Sequence, residues 1–176
     1  MYRVGLGHDV HPFVEESDPR PFVLGGVTIP GVRGLAGHSD ADVLVHAVCD
    51  AILGAAGLGD LGRHFPDTDP RYRGISSLEL LRATVAMMHL RGFHVVNVDA
   101  VVIAEEPKIA PWVPAMQSCL APVLSLSEGK INIKGTRPEG LGALGRREGV
   151  GCQAVVLLGR RGEMLRLRGR LRRSAR

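Results

Sequence analysis

Apolar and polar positions along the chain predict a succession of strands and helices. Apolar residues recur at helical spacing within residues 40–57 and 76–92, and a third helix is expected at residues 111–124, with a proline in its first turn. Apolar runs predict strands at residues 2–6, 22–24, 27–29, 93–104, 131–134 and 150–158. Gly25 and Gly26 predict a hairpin between the second and third of these strands. The apolar face of the second helix is interpreted as core, and it comprises Leu78, Leu80, Leu81, Val85, Met88 and Leu90.

A polar stripe interrupts the apolar pattern of the first helix. Ser39 stands where an N-cap is expected, with Asp42 three residues later as its capping-box partner. His46 is four residues from both Asp42 and Asp50, so these three side chains share one helix face. Two interpretations fit the stripe: a hydrogen-bonded histidine of the core, or a metal site.

A second polar pair follows the first strand. If the extended conformation continues, Asp9 and His11 point to the same side of that strand. With His46 they offer one carboxylate oxygen and two imidazole nitrogens, which is the number of protein ligands that a catalytic zinc uses. The sequence alone does not bring His46 next to the other two, so satisfied polar groups of the core are the alternative. Asp50 would support the metal ligands or be a surface acid.

Two glycine-rich segments have compositions typical of ligand binding. Residues 58–70 are rich in Gly, Pro and Asp, and this long loop could offer acceptors to a polyol or a metal-bound ligand. Residues 135–149 combine glycines with a hydroxyl group, arginines and backbone N–H groups, which suits the anionic oxygens of phosphates. There is no Walker sequence, and Val10 occupies the third glycine position of the dinucleotide fingerprint.

Composition places the chain among single-domain globular proteins. Its 176 residues are 45% hydrophobic and 23% charged, and no apolar run approaches the roughly 18 residues of a membrane span. We recognise no signal or transit peptide. Three cysteines without a CxxC motif are typical of reduced thiols, so a cytoplasmic protein is expected.

The net charge of +4 comes from one end of the chain. Residues 159–176 hold eight arginines and one glutamate, a net charge of +7, which leaves −3 for residues 1–158. We expect one domain over residues 1–158 and a basic C-terminal tail over residues 159–176. Since the chain has only seven Phe, Trp and Tyr residues, neither a nucleic-acid partner nor a membrane is expected. The alternative is an RNA- or membrane-associated protein that binds through its tail.

Five short motifs occur in a fixed order and spacing. They are Gly5-x-Gly7-x-Asp9-x-His11, His38-Ser39-Asp40-x-Asp42 with His46, Phe65-Pro66-Asp67-Thr68-Asp69, Glu106-Pro107-Lys108 and Gly145-Arg146-x-Glu148-Gly149. From residue 3 to about residue 158, this set resembles the 2-C-methyl-D-erythritol 2,4-cyclodiphosphate synthase family. No single motif is decisive, but five in register are highly specific.

The resemblance implies a fold, an assembly and a reaction. The fold would be α/β (α+β), with a four-stranded mixed sheet and helices on one face, in a homotrimer whose sheets surround the three-fold axis. The enzyme would be a phosphorus–oxygen lyase of non-mevalonate isoprenoid biosynthesis, with active sites between subunits. The 2-phosphate of 4-diphosphocytidyl-2-C-methyl-D-erythritol 2-phosphate would attack the β-phosphorus, and CMP would leave. The divalent cations would be Zn²⁺ at Asp9, His11 and His46, and Mg²⁺ or Mn²⁺ near Glu139.

The resemblance also implies roles for the residues around these metals. His38 and Arg137 would be catalytic, the first by stabilising the transition state and the second at a phosphate-contacting position. The segment of residues 104–110 would hold cytidine from the adjacent subunit, and Arg146 would face a pocket near the trimer axis. The implied substrate-binding residues are Asp9, His11, His38, Ser39, Asp60, Leu61, Gly62, Phe65, Pro66, Asp67, Thr68, Asp69, Ala104, Glu105, Glu106, Pro107, Lys108, Ile109, Ala110, Thr136, Arg137, Pro138, Glu139, Ala143 and Arg146.

Four positions depart from the family pattern. Arg137 replaces a threonine, Ala143 stands where an aromatic is common, and Ala41 and Arg147 stand where glycine is usual. A non-catalytic trimeric binder of nucleotides or isoprenoid diphosphates is therefore a second hypothesis, in which Arg137 and Ala143 have disabled turnover.

Overall fold

The computed structural model describes residues 1–160, so residues 161–176 of the predicted tail lie outside the described residues. The division into a domain and a tail stays a prediction. The elements are β1 (Tyr2–Pro12), β2 (Pro21–Leu24), β3 (Val27–Arg33), α1 (Val43–Ala56), α2 (Leu61–His64), α3 (Ser77–Leu90), β4 (Phe93–Ile103), α4 (Val113–Leu124), β5 (Ile131–Thr136), α5 (Gly142–Gly145) and β6 (Gly149–Arg160).

Four strands form one sheet in the order β1-β6-β4-β5. β6 is antiparallel to both β1 and β4, whereas β4 and β5 are parallel, so the sheet is mixed as predicted. β1 and β6 pair along their whole lengths, from Tyr2 opposite Gly159 to Pro12 opposite Gly149. The extended conformation therefore continues past residue 6. As predicted for that case, Asp9 and His11 lie on the same side of β1.

Helix α1 packs directly on β1 and β6, and the helices cover one face of the sheet. Close approach is possible because β1 has glycines at the crossing: a Cβ on Gly5 or Gly7 would collide with the carbonyl oxygen of Ala51 or Ala47. With α3 packed on its other side, α1 is buried at 12 of its 14 residues. A helix that is apolar on nearly all sides is expected at such a central position.

Helices α3 and α4 complete the same layer over β4 and β5. The predicted core face of α3 is confirmed at Leu80, Leu81, Val85 and Met88. It is wrong at Leu90, which is 88% exposed because it is the last residue of α3, just before the turn at Gly92. Within the described residues, no helix has the length and apolar character needed to cross a bilayer.

The N-terminus of α1 differs from the prediction. The helix begins at Val43, and its N-cap is Asp42, whose carboxylate accepts a hydrogen bond from the Val45 N–H at 3.1 Å. Ser39 lies before the helix because the backbone at Asp40 is bonded to Ile75, with 3.1 Å between Asp40 N and Ile75 O. The predicted C-terminal stop at Gly57 is confirmed, since this glycine has a positive φ of 70°.

Asp42 also anchors the predicted hairpin, which β2 and β3 form around Gly25 and Gly26. Its two carboxylate oxygens accept hydrogen bonds from Gly25 N at 2.9 Å and Gly26 N at 2.7 Å. One buried carboxylate therefore holds both the helix start and the hairpin turn in place.

Several predicted boundaries are also corrected. The segment of residues 58–70 is not entirely a loop, since Asp60 caps the short helix α2 by accepting a hydrogen bond from Arg63 N. Pro111 lies in a 3₁₀ turn, Ala110–Trp112, and not in the first turn of the predicted third helix. That helix, α4, begins after it at Val113. Cys49, Cys119 and Cys152 are free thiols, as predicted.

Candidate metal centre and substrate pockets

Three predicted metal ligands meet at the crossing of β1 and α1. Asp9 Oδ2 lies 3.0 Å from both His11 Nε2 and His46 Nδ1, and these two nitrogens are 3.1 Å apart. The i, i+2 spacing in β1 directs Asp9 and His11 to one side, and α1 carries His46 across them. Within residues 1–160, no other group of three His, Cys, Asp or Glu side chains converges in this way.

The triangle suits a small divalent cation. Tetrahedral zinc with bond lengths of about 2.0–2.1 Å separates its ligand atoms by about 3.3 Å, only a few tenths more than the distances found here. One carboxylate and two imidazoles would leave a fourth position open. The cluster is thus a candidate catalytic metal site.

The charges of the three groups support one another. Burial raises the pKa of Asp9, but hydrogen bonds and charge from His11 and His46 outweigh burial and hold that pKa well below its usual range. For His11, burial lowers the pKa, but the hydrogen bond and charge of Asp9 outweigh it, so the net shift is upward. The Asp9 carboxylate therefore stays ionised and attracts positive charge.

Each histidine also has a partner behind it. His11 Nδ1 lies 2.8 Å from the carbonyl oxygen of Ala36, and Arg20 holds this segment by donating to Gly37 O at 2.7 Å. His46 Nε2 lies 2.9 Å from Ser77 Oγ and 3.0 Å from Ser39 Oγ. Both rings are thus oriented from outside the triangle. Asp50 instead accepts a hydrogen bond from Leu61 N and so fixes α2.

A first pocket of about 290 Å³ opens beside the triangle. We name it the metal-side pocket. It brings together seven predicted site residues, which are His11, His38, Ser39, His46, Leu61, Phe65 and Asp67. Gly62, Pro66, Thr68 and Asp69 do not line it; Asp69 instead pairs with Arg71 at 2.6 Å.

Sequence reasoning missed three residues that line the metal-side pocket, Gly37, Tyr72 and Leu80. The Tyr72 ring packs edge-on against Phe65, with 5.4 Å between centroids. Tyr72 lies two residues beyond the segment of residues 58–70 that was predicted to bind ligand, and this proximity was a usable signal for it. Leu80 gave no such signal, because it belongs to the regular apolar face of α3.

A second pocket, of about 340 Å³, lies where β4 and β5 end. We name it the strand-end pocket. Predicted site residues line it: Ala104, Glu105, Pro107, Lys108, Ile109, Ala110, Thr136 and Arg137. Glu106, Pro138 and Glu139 do not line it, and Glu106 pairs with Arg147 at 3.0 Å. The two pockets have no lining residue in common.

Three charged residues near the strand-end pocket are only loosely held. Arg137 Nε is 4.0 Å from Glu105 Oε2, and Glu105 also accepts a hydrogen bond from Gly140 N at 2.8 Å. Glu139 is exposed and takes part in no cluster of metal-ligating side chains within residues 1–160. Around the strand-end pocket, residues 1–160 therefore offer charged side chains but no enclosed set of metal ligands.

The departures from the family pattern have identifiable geometry. Ala41 and Arg147 have φ values of 57° and 62°, in the left-handed region that glycine adopts without strain. This explains why glycine suits both positions. Arg146 pairs with Glu148 at 2.6 Å, next to α5, which contains Ala143.

Comparison with known proteins agrees with this geometry. The YgbB family model matches residues 2–159. The 2-C-methyl-D-erythritol 2,4-cyclodiphosphate synthase of Syntrophobacter fumaroxidans is 54% identical over 156 residues, covering 89% of this chain and 96% of the relative. The synthase of Bordetella pertussis is 56% identical over 161 residues, covering 92% and 98%.

A solved structure is also similar. The IspF–CDP complex of Plasmodium falciparum superimposes with a TM-score of 0.78 at 32% identity, covering 90% of this chain and 96% of that one. Since these matches span nearly all of the described residues, the chain belongs to the YgbB family, the 2-C-methyl-D-erythritol 2,4-cyclodiphosphate synthase family that its motifs resemble.

Proposed function

We propose that this protein is a 2-C-methyl-D-erythritol 2,4-cyclodiphosphate synthase. It converts 4-diphosphocytidyl-2-C-methyl-D-erythritol 2-phosphate into the cyclic diphosphate and CMP. The observation that carries the proposal is the Asp9–His11–His46 triangle, which adjoins a pocket lined in part by His38, Ser39 and Asp67, in a chain of this family. Phosphoryl transfer leaves the protein little covalent chemistry to do, so positioning and charge must dominate catalysis.

The triangle is the proposed zinc site. Zinc bound there would polarise the attacked phosphate and partly neutralise its charge. Asp9 contributes negative charge, and the two imidazoles contribute neutral nitrogen ligands. His38 and Ser39 line the metal-side pocket beside the triangle, where they can donate to phosphate oxygens. Leu61, Phe65 and Asp67 would hold the methylerythritol part.

The strand-end pocket is the proposed cytidine site. Its lining combines apolar residues such as Ile109 and Pro107 with Lys108, whose ammonium group would meet a phosphate. Arg137 would contact the phosphates from the same side. Glu139, nearby in sequence, is the proposed ligand of a hard cation such as Mg²⁺, which prefers oxygen ligands and substrate phosphates. The similar Plasmodium structure is a CDP complex.

We further propose a homotrimer. The sheet face opposite the helices, which we name the outer sheet face, carries large apolar side chains: Val4 is 67% exposed, Leu6 68% and Val10 51%. Leu6 pairs across the strands with Val155, so these side chains are contiguous. Contiguous apolar exposure of this kind is typical of an interface. The metal-side and strand-end pockets share no lining residue, as expected if each active site combines the first pocket of one subunit with the second pocket of another.

Turnover by the full chain with Zn²⁺ and Mg²⁺ tests the proposal. We expect CMP release from the diphosphocytidyl substrate, and a loss of at least about 1,000-fold in His46→Ala, since each factor of ten corresponds to about 1.4 kcal/mol and metal electrostatics supplies several. His89→Ala is the matched control, because His89 lies at the opposite end of α3 from Ser77. Calorimetric binding of CDP without CMP release would instead favour the non-catalytic binder. Full activity in metal-free enzyme would contradict the proposal.

A further inference from the structure

The His46 ring is tied to the start of α3 by a chain of buried hydrogen bonds. His46 Nε2 lies 2.9 Å from Ser77 Oγ, and the Ser77 hydroxyl donates to Asp40 Oδ1. The Ser77 backbone N–H donates to Asp40 Oδ2 at 3.0 Å. Ser77 and His46 are both buried. These hydrogen bonds therefore join three parts of the chain: Asp40 before α1, Ser77 in the first turn of α3 and His46 in α1.

The protons in this chain of hydrogen bonds can be assigned from the donors and acceptors. An ionised carboxylate only accepts, so the single hydroxyl proton of Ser77 is committed to Asp40. The Ser77 oxygen is then left only with lone pairs toward His46, so it accepts a hydrogen bond from the tautomer that carries its proton on Nε2. Asp9 Oδ2, 3.0 Å from His46 Nδ1, favours the opposite tautomer in the metal-free chain, and Ser39 Oγ lies 3.0 Å from Nε2. A cation on Nδ1 removes this competition, because the one remaining proton of the neutral ring is then on Nε2.

We propose that Asp40 and Ser77 are positioning residues that favour the Nε2–H tautomer of His46 and orient its ring for metal binding through Nδ1. This inference rests on the proposed function, because it needs the triangle to be a metal site. Neither residue touches the metal position. Their contribution is to stabilise the form of the imidazole that binds the ion, against the opposite preference of Asp9.

The other histidine supports the same principle with opposite nitrogens. His11 Nδ1 faces the Ala36 carbonyl oxygen, which only accepts and therefore favours a proton on Nδ1, while Nε2 faces Asp9 in the triangle. His46 uses the reverse arrangement. The groups beside His46 Nε2 are two side-chain hydroxyls, Ser77 Oγ from α3 and Ser39 Oγ from the segment before α1.

Two substitutions test the proposal through zinc affinity. Ser77→Ala removes the nearer of the two hydroxyl oxygens beside His46 Nε2 and leaves Ser39 Oγ in place. Asp40→Asn is nearly isosteric, but it leaves one acceptor oxygen where the carboxylate accepted donors on both. We expect the zinc Kd, measured by competition with a chelator, to rise by about 10- to 100-fold in each, which is typical when a group behind a metal-bound histidine is lost. Thermal unfolding of the metal-free variants verifies that they fold.

Ser76→Ala is the matched control, because Ser76 caps the same helix turn while its side chain is exposed and accepts a hydrogen bond from the Leu78 N–H, at 3.4 Å. It should keep the wild-type zinc Kd. A second readout needs no metal: long-range ¹⁵N–¹H spectra of metal-free protein at alkaline pH should show a larger Nε2–H fraction of His46 in wild type than in Asp40→Asn.

The outcomes separate this inference from the proposed function. If wild type binds zinc and releases CMP while both variants keep its zinc Kd and tautomer, the positioning role is overturned and the proposed function stands. If wild type itself binds no zinc, the proposed function fails, and the positioning role fails with it. A raised zinc Kd in both variants with the tautomer changed supports the proposal.

Discussion

The two pockets differ in how completely one chain builds them. In the metal-side pocket, each ligand of the triangle is buried or half-buried and has partners on more than one side. In the strand-end pocket, Lys108 and Arg137 are exposed, and Arg137 Nε is 4.0 Å from the carboxylate of the half-buried Glu105. One site is held by the core, whereas the other is held by strand ends and a turn.

This difference teaches where a second subunit is needed. The polar groups of the triangle have partners within the chain, since Asp9 pairs with two imidazoles. Lys108 and Glu139 have no comparable set of partners around them within residues 1–160, so their charges are available to a ligand or to a neighbouring chain. One chain builds the metal-side pocket completely but the strand-end pocket only in part. We therefore expect a neighbouring subunit to complete the active site.

The largest expected effect concerns the frame of the metal-side pocket. Asp42→Ala removes the acceptor for Val45, Gly25 and Gly26 N–H groups at once. At about 1 kcal/mol for a lost cap and about 1 for each further hydrogen bond, the free energy of unfolding should fall by about 3 kcal/mol. Urea denaturation measures it.

Asp60→Ala is the control for that measurement. Asp60 caps the short helix α2 through one hydrogen bond to Arg63 N. Its loss should cost no more than about 1 kcal/mol. Equal losses in the two variants would mean that Asp42 does not anchor the hairpin to α1.

The next prediction concerns Glu139 and the second cation. Glu139→Gln should lower CMP release by about 100-fold at limiting Mg²⁺, a loss of about 2.7 kcal/mol, because a neutral amide is a poorer ligand for a hard cation. Excess Mg²⁺ should restore part of the activity, and the zinc Kd should not change. Glu128→Gln should behave as wild type, because Glu128 precedes β5 in sequence whereas Glu139 follows it. Loss of zinc binding in Glu139→Gln would show that the two sites are not separate.

Zinc binding should depend on pH through His11. Since the pKa of His11 is raised above its ordinary value of 6.5 in the metal-free chain, a proton competes with zinc for Nε2. The zinc Kd should rise by up to about tenfold for each pH unit below that pKa. The released proton can be measured by calorimetry in buffers of different ionisation enthalpy.

Without metal, the contribution of His11 to the free energy of unfolding should fall as pH rises. A raised folded-state pKa of His11 stabilises the metal-free protein fully below 6.5, and this contribution is lost as pH rises through the folded-state value. Zinc stabilises more as pH rises. The difference in Tm with and without zinc should therefore grow with pH; a constant difference would mean that His11 is not a ligand.

The smallest expected effect concerns Arg137. Glu105→Gln removes the carboxylate that holds its guanidinium group and that would repel a diphosphate. A pair that is 4.0 Å apart, with one exposed partner, contributes less than about 1 kcal/mol, so CDP should bind tighter by about two- to fivefold. Arg137→Ala should weaken CDP binding instead. If both variants bind CDP as wild type does, Arg137 takes no part in phosphate contact.

Much of the fold could be predicted from local pattern. The periodicity of α3, the Gly25–Gly26 hairpin and the stop at Gly57 were all readable, because each depends on a few neighbouring residues. The start of α1 was not. Ser39 and Asp42 are both good N-caps, and the choice depended on Ile75, which binds the backbone of Asp40 from another element.

The candidate site divides in the same way. The sequence by itself determined the donor types at Asp9, His11 and His46 and, through strand and helix geometry, the faces on which they lie. Only the tertiary structure decided that α1 crosses β1 closely enough for the three to meet, which the glycines of β1 permit. It also decided which nitrogen of each histidine faces the triangle, because that depends on Ala36 and Ser77, which no local spacing connects to the ligands. Such contacts join residues that are far apart in sequence, so the pattern of any one segment does not determine them.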